Sequence, residues 1–316
     1  MFSKRDVFAA ASILALVGLA AGSASASTIV LKPRPGEARR IGPREAPFKA
    51  PSVGGTWSHL TNPFPGASPN TPLQLTDGSV MVHDSCTANW YRLIPDVNGS
   101  YANGAWVATG ALPKGYAPLY FASQVLADGR VVMNGGEYNT TSCTATWTNK
   151  GAIYDPLTDK WKAVAVPKAV KNIGDAQSTV LPDGGYMLAN AITNQEIIGT
   201  FDAAGLPTWT NTGTGKKDRN DEEGWTLIPG GRILTVDATR NNAGPVNKTE
   251  LYDIAGGSWT DGEDTPNMLV DPNSSEIGPA VLIPTGTVFQ LGGTPCDSAC
   301  PGHSATYNTL TDHWAV

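Results

Sequence analysis

The stretch QVLADGRVVMNGG, residues 124–136, decides the architecture. An apolar run leads into Asp128-Gly129, a second apolar run follows, and Gly135-Gly136 closes it. An Asp-Gly pair between two such runs is a hairpin signal. Runs this continuously apolar suit strands buried on both faces. Variants recur along the chain: LQLTDGSVMVHD from Leu73, TVLPDGGYMLAN from Thr179, TLIPGGRILTVD from Thr226 and VLIPTGTVFQLGG from Val281. Their turn glycines, Gly78, Gly129, Gly184, Gly231 and Gly286, are spaced 51, 55, 47 and 55 residues apart.

A tryptophan keeps step with the hairpins. Trp57, Trp106, Trp161, Trp209, Trp259 and Trp314 follow one another at 49, 55, 48, 50 and 55 residues. Before three of them runs a third apolar segment and a polar turn: GAIYDPLTDKW, TELYDIAGGSW and SATYNTLTDHW. Asp, Gly, Pro and Thr suit such turns through side-chain hydrogen bonds and φ freedom. Two inner strands, a third and an outer Trp strand make four strands per repeat of about fifty residues, which is the signature of a β-propeller blade. One blade cannot bury both its faces, so neighbouring blades share the core, with Trp and Tyr contributing the largest areas. The expected fold is all-β: five four-stranded blades over residues 53–316.

The repeat resembles the kelch repeat. The resemblance rests on the double glycines Gly135-Gly136 and Gly292-Gly293, the Tyr154-Asp155 and Tyr252-Asp253 steps and the closing Trp, and it covers residues 57–314. In the other units the double glycine is replaced by His83-Asp84, Ala189-Asn190 and Val236-Asp237. Kelch propellers include secreted proteins similar to galactose oxidase, sialic-acid mutarotases and interaction scaffolds, so the resemblance speaks more to fold than to function. In that arrangement the Trp strand is outermost. Trp57 is then expected to open an N-terminal outer strand whose inner partners would come from the C-terminal side, and the chain reads as a fragment of a six- or seven-bladed ring.

Residues 1–26 read as an export signal: Lys4 and Arg5, an apolar stretch from Val7 to Ala21, and Ala24-Ser25-Ala26 for cleavage. The apolar stretch is short for a membrane span. A Pro/Arg-rich linker occupies residues 27–52. Positions 53–316 hold 25 Asp+Glu against 14 Lys+Arg, a balance of −11. That charge argues against a nucleic-acid partner. The expected location is periplasmic or extracellular. Four cysteines, Cys86, Cys143, Cys296 and Cys300, fall between second and third strands. Export favours disulfides, and the preferred pairing of the three possible is 86–143 with 296–300. A metal site on CDSACPGH with His303 is the alternative.

Phase also names the residues expected at the mouth of the central channel. Six residues after each turn glycine stand Asp84, Gly135, Asn190, Asp237 and Gly292, with Glu137 and Tyr138 just beyond in the second blade. Before the first strands stand Asn70, Phe121, Asp175, Glu222 with Glu223, and Glu276, with Gln177 close by. The candidate ligand-binding set is Asp84, Glu137, Tyr138, Asp175, Gln177, Asn190, Glu222, Asp237 and Glu276. Converging carboxylates suit a hard cation such as calcium, sugar hydroxyls, or acid–base work with separated pKa values. They are also ordinary solvated or capping groups in loops. The segment KKDRNDEEGW, 216–225, reads as an exposed loop.

The galactose-oxidase resemblance implies a copper site built on a Cys cross-linked to a Tyr, a Tyr-His pair and a further His. Here the first strand of the first blade, PNTPLQLTDG, has no Cys, no Tyr-His pair exists, and the histidines are His59, His83, His303 and His313. A mutarotase-like activity would need a Glu–Arg pair, for which Glu137 or Glu222 with Arg240 are the candidates. The expectation is an exported propeller that binds a carbohydrate or protein ligand at an acidic mouth. No cofactor is expected, with calcium or copper as possibilities. The alternatives are a galactose-oxidase-like copper oxidoreductase and a cofactor-free carbohydrate isomerase.

Overall fold

The computed structural model describes residues 57–239, 246–293 and 303–316. The export signal, the linker, Arg240 and the Cys296–Cys300 pair lie outside the described residues. Blade 1 consists of β1 (Pro69–Gln74), β2 (Val80–Asp84), β3 (Trp90–Ile94) and β4 (Ala105–Ala108). In chain order β5 (Pro118–Leu119), β6 (Ala122–Val125), β7 (Val131–Asn134), β8 (Tyr138–Asn139), β9 (Gly151–Asp155) and β10 (Lys160–Ala163) follow. Of these, β6, β7, β9 and β10 form blade 2, while β5 and β8 pair in a separate two-stranded ladder. Blade 3 is β11 (Ser178–Val180), β12 (Tyr186–Ala189), β13 (Glu196–Phe201) and β14 (Pro207–Thr212). Blade 4 is β15 (Thr226–Ile228), β16 (Arg232–Val236), β17 (Thr249–Asp253) and β18 (Ser258–Asp261). Blade 5 is β19 (Ala280–Ile283), β20 (Thr287–Leu291), β21 (Ser304–Asn308) and β22 (His313–Ala315). All pairings are antiparallel, and no helix occurs among the described residues.

The Tyr-Asp and Trp signals meet across one ladder. Tyr154 faces Trp161, Tyr252 faces Trp259 and Tyr307 faces Trp314 in register. Their ring centroids lie 5.1, 5.1 and 5.0 Å apart, the distance at which tilted aromatic pairs add to area burial. The three tyrosine rings are buried. Two of their hydroxyls donate to a turn aspartate, Tyr154 to Asp159 at 2.7 Å and Tyr307 to Asp312 at 2.9 Å. Blade 3 has Gly199 opposite Trp209, and a Cβ there would stand 2.5 Å from the indole.

Period-two alternation divides each inner strand between two neighbours. Val131 and Met133 face blade 1 and pack with Met81 and Trp90, whereas Val132 faces blade 3 and packs with Tyr186 and Leu188. Met187 turns the other way, to Ile233, Tyr252 and Trp259 of blade 4. Leu234 and Val236 pack with Val288, Tyr307 and Trp314 of blade 5. These four cores join the five blades in series. Among the described residues no such core joins blade 5 to blade 1. The five Trp positions from Trp106 to Trp314 lie in outer strands, as the spacing predicts. The strand expected at Trp57 is not formed: this residue lies outside any strand with 74% exposure. The segment after it instead lies along blade 1, where Asn62 donates to the Gly104 carbonyl and Phe64 packs edge-on against Tyr91 and Trp106.

Candidate ligand-binding site

Tyr120, Asp175 and Glu222 each stand nine residues before a turn glycine, and each has positive φ, at 54°, 50° and 63°. Non-glycine residues hold this conformation only where their surroundings enforce it. Here a chain of backbone hydrogen bonds does so. The Tyr120 carbonyl accepts from the amides of Glu137 (3.3 Å) and Asp175 (3.2 Å), and the Asp175 carbonyl accepts from the Glu222 amide (3.2 Å). Ala176 and Asp221 form an isolated antiparallel bridge. The double glycine makes the approach possible. A Cβ on Gly135 would stand 1.4 Å from the Ile173 carbonyl oxygen, and one on Gly174 2.3 Å from the Glu137 amide. Blades 2, 3 and 4 therefore bring Glu137, Asp175, Asp221 and Glu222 together.

Burial, then the charges of Glu222, Glu137 and Asp221, push the Asp175 carboxyl up to about 9. It holds its proton at neutral pH and is a hydrogen-bond donor among acceptors. Carboxylate oxygens of Asp175, Asp221 and Glu222 lie within 4.8 Å of one another, the spacing of a cation seat. The Tyr120 and Tyr138 rings meet edge to face at 5.9 Å beside them, and Gln177 donates to the Asp175 carbonyl at 3.2 Å.

A second charged cluster is built from the same segment, and it corrects the reading of 216–225 as an exposed loop. Lys216, Asp218, Glu223 and Glu250 have side chains with 0% exposure. The Lys216 ammonium donates to Asp218, to Glu223 Oε1 at 2.9 Å and to Glu250 Oε2 at 2.7 Å, and lies 5.1 Å from the centre of the Trp259 ring. Glu250 Oε1 accepts from the Lys217 amide at 2.9 Å, Asp218 Oδ2 from the Thr239 amide at 3.3 Å, and Glu223 Oε2 from the Thr235 hydroxyl at 3.0 Å. Burial opposes the lysine's charge, but Glu223, Asp218, Glu250 and Asp237 outweigh it and hold the ammonium above its usual range. Burial also pushes the Glu223 carboxyl well above the usual carboxylate range, so the single ammonium does not face a full set of ionised partners.

The remaining sequence candidates have other positions. Asp84 is buried and accepts from the amides of Ala67 (3.0 Å) and Ser68 (2.8 Å). Asn190 is buried with its carbonyl on the Asn220 amide group at 3.4 Å, and Asp237 is buried within reach of the Lys216 and Glu223 charges. Glu276 is half-buried on the loop before β19. Sequence reasoning passed over Tyr120, Asp221 and Lys216. The nine-residue offset points to Tyr120. Nothing local points to Lys216, whose partner Glu250 is 34 residues away.

Cys86 and Cys143 form the expected disulfide, with Cα atoms 5.3 Å apart, tying the loop after β2 of blade 1 to the loop after β8. The copper set that the galactose-oxidase resemblance implies is not assembled from these groups: Cys86 and Cys143 are joined in the disulfide, His83 is buried between Trp90 and Phe121 with Nε2 3.1 Å from the Thr87 carbonyl, and His313 is an exposed partner of Glu263.

No protein-family model matches the chain. It is similar to a kelch-like protein, terF, of Aspergillus terreus (strain NIH 2624 / FGSC A1156), 26% identical over 160 residues. The match covers 49% of this chain and 30% of the relative, so it spans less than a third of that protein's length. Among solved structures, YjhT superposes with a TM-score of 0.52 at 12% identity, over 81% of this chain and 84% of that one. A fungal alcohol oxidase of the AA5 family in complex with copper superposes with a TM-score of 0.47 at 16% identity, over 75% and 61%. The repeat and its five four-stranded blades make this chain a β-propeller, and its sequence is similar to that of a kelch-like protein.

Proposed function

We propose that the chain binds a carbohydrate at the acidic mouth formed by Glu137, Asp175, Asp221 and Glu222. The observation that carries this reading is that carboxylates from three successive blades converge beside the Tyr120–Tyr138 pair. Sugar hydroxyls both donate and accept. The Glu137 and Glu222 carboxyls offer acceptors, the Asp175 carboxyl, raised to about 9, offers a donor, and a tyrosine face suits the apolar side of a pyranose. A basic protein segment is the alternative occupant. The Cys86–Cys143 disulfide supports export, since such bonds persist in oxidising compartments. No helix among the described residues is long and apolar enough to cross a membrane.

Calorimetric titration with a panel of neutral mono- and oligosaccharides at pH 7 tests the reading. Binding that weakens about tenfold or more in Glu222→Ala supports it, since one good polar contact in a site amounts to about 1.4 kcal/mol. A folded wild-type chain that binds no sugar overturns it. A second reading, calcium held by Asp175, Asp221 and Glu222, is favoured by their mutual spacing. Calcium titration followed by proton release separates the two, because a bound cation displaces the Asp175 proton and a neutral sugar does not.

A further inference from the structure

The dipeptide Asn-Gly occurs three times, at Asn98-Gly99, Asn103-Gly104 and Asn134-Gly135. Its local chemistry is the same each time. The backbone nitrogen that follows an asparagine can attack the side-chain carbonyl carbon, and a glycine there leaves the approach free of a Cβ. The side chain must fold back onto its own backbone, and the next amide must be released from any hydrogen bond it donates. The fold treats the three pairs differently. Asn134 ends β7 with 0% exposure, paired with Ala122 on one side and Gly151 on the other, and the Gly135 amide donates to the Lys150 carbonyl at 2.7 Å. Cyclisation there would break the middle of blade 2. Asn103 is exposed but fastened: its Oδ1 accepts from the Thr61 hydroxyl at 3.0 Å, and Gly104 is buried with its amide on the Tyr101 carbonyl at 3.0 Å.

Asn98 stands at the tip of the turn between β3 and β4. Val97, Asn98 and Gly99 are all exposed, and a Cβ on Gly99 would meet nothing within 4 Å. The turn is closed by the Gly99 amide on the Asp96 carbonyl at 2.9 Å, and by the Asp96 carboxylate, which accepts from the Asn98 and Ser100 amides at 2.9 Å each. Bonds at such a tip open at far lower cost than those of a buried strand. We propose that Asn98 is a self-modification site: once the Asp96-capped turn opens, the folded chain converts this asparagine to aspartate and isoaspartate, while the other two pairs stay intact. The Gly99 nitrogen bonds to Asn98 Cγ, the Cγ–Nδ2 bond breaks, and ammonia leaves with the proton that the Gly99 amide gives up. Water then opens the five-membered imide, at Cγ to give aspartate or at the backbone carbonyl to give isoaspartate. No oxidant or reductant takes part. Either product adds a negative charge beside Asp96, and isoaspartate lengthens the backbone by one carbon inside the turn. The turn is at the opposite end of β3 from the loop after β2, so the modification is independent of the proposed sugar site.

The test follows the full chain, held folded at pH 8, by peptide mass mapping, with isoaspartate detected by enzymatic methyl labelling. Conversion at Asn98 should outpace that at Asn103 and Asn134 about tenfold or more. In urea the three should react at similar rates, since only the fold distinguishes them. Asp96→Ala, which removes the side-chain cap, should speed the Asn98 reaction about fivefold. An Asn98 that stays intact, or that reacts no faster than Asn103 or Asn134 in the folded chain, overturns the inference. So does the same ranking in urea, which would trace the selectivity to neighbouring residues rather than to the fold. An Asp96→Ala chain reacting at the wild-type rate overturns it too, because the turn would then gate nothing.

Discussion

Two groups of carboxylates lie within one segment's reach and have opposite chemistry. Around Lys216, Asp218, Glu223 and Glu250 are fully buried, yet a cation stands at their centre and most of their oxygens are hydrogen-bonded. Around Asp175, the neighbours Glu222, Glu137 and Asp221 are of like charge, and Asp175 answers by keeping a proton. Burial alone therefore does not mark a functional carboxylate. What separates the groups is their surroundings: Asp218, Glu223 and Glu250 share the Lys216 ammonium and are fully buried, whereas Asp175 stands among Glu222, Glu137 and Asp221 in a half-buried place.

The sharpest way to break this contrast is to remove the matching charge. Lys216→Met should destabilise the chain by about 3–5 kcal/mol, the usual result of stripping a buried ion pair of one partner. Urea unfolding at pH 7 measures it. A loss below about 1 kcal/mol would mean that the buried cluster is not the staple described. Opening the Cys86–Cys143 disulfide, by Cys86→Ser with Cys143→Ser, should cost about 2–4 kcal/mol. The same urea unfolding measures it, and an unchanged stability would remove this bond from the account of the fold.

The Asp175 cluster should respond in the opposite sense. With its folded pKa raised to about 9 above an unfolded value of about 4, Asp175 binds more proton folded than unfolded between those limits. Its contribution is fully present below about pH 4 and is lost as pH rises through about 9. Asp175→Asn should then stabilise the chain by ~1 kcal/mol at pH 8, in the range of compatible stabilising substitutions, and flatten the alkaline decline in melting temperature. Buried Glu196, held up to about 8 chiefly by desolvation, adds to the same limb, so the slope lessens rather than vanishes. An unaltered slope would show that Asp175 is ionised in the folded chain.

The acid limb belongs to a third place. Burial lowers the His83 imidazole to about 4, so the unfolded state binds the extra proton first and stability falls as pH drops from about 6.5 to about 4. His83→Leu should remove most of this loss, about 2 kcal/mol between pH 7 and 4.5. Melting temperatures at pH 4.5 and 7 check it, and an unchanged difference between them would remove His83 from the account.

Most of the architecture is legible in the chain. Turn glycines about fifty residues apart and continuous apolar runs are local signals repeated five times, with Tyr–Trp steps in three of the repeats, and each repeat forms its own sheet. Those signals placed Trp106, Trp161, Trp209, Trp259 and Trp314 in outer strands and paired Cys86 with Cys143. Phase also put Glu137, Asp175 and Glu222 at one end of their strands. It failed at Trp57, whose periodic spacing carries no information about whether inner strands are present to pair with it.

Tertiary structure decided what those acidic residues are. Asp84, Asp175, Asp237 and Glu222 occupy similar phases, yet Asp84 caps two amides, Asp237 lies in the Lys216 cluster, and Asp175 and Glu222 crowd each other. The difference arises from residues far away in the chain: a lysine whose partner is 34 positions on, and a glycine pair whose missing side chains admit the loop of the next blade. Repeat spacing and hydrophobic pattern are properties of a segment and can be read along it. Charge compensation and desolvation are properties of a place in space, and only the packing of blade against blade creates that place.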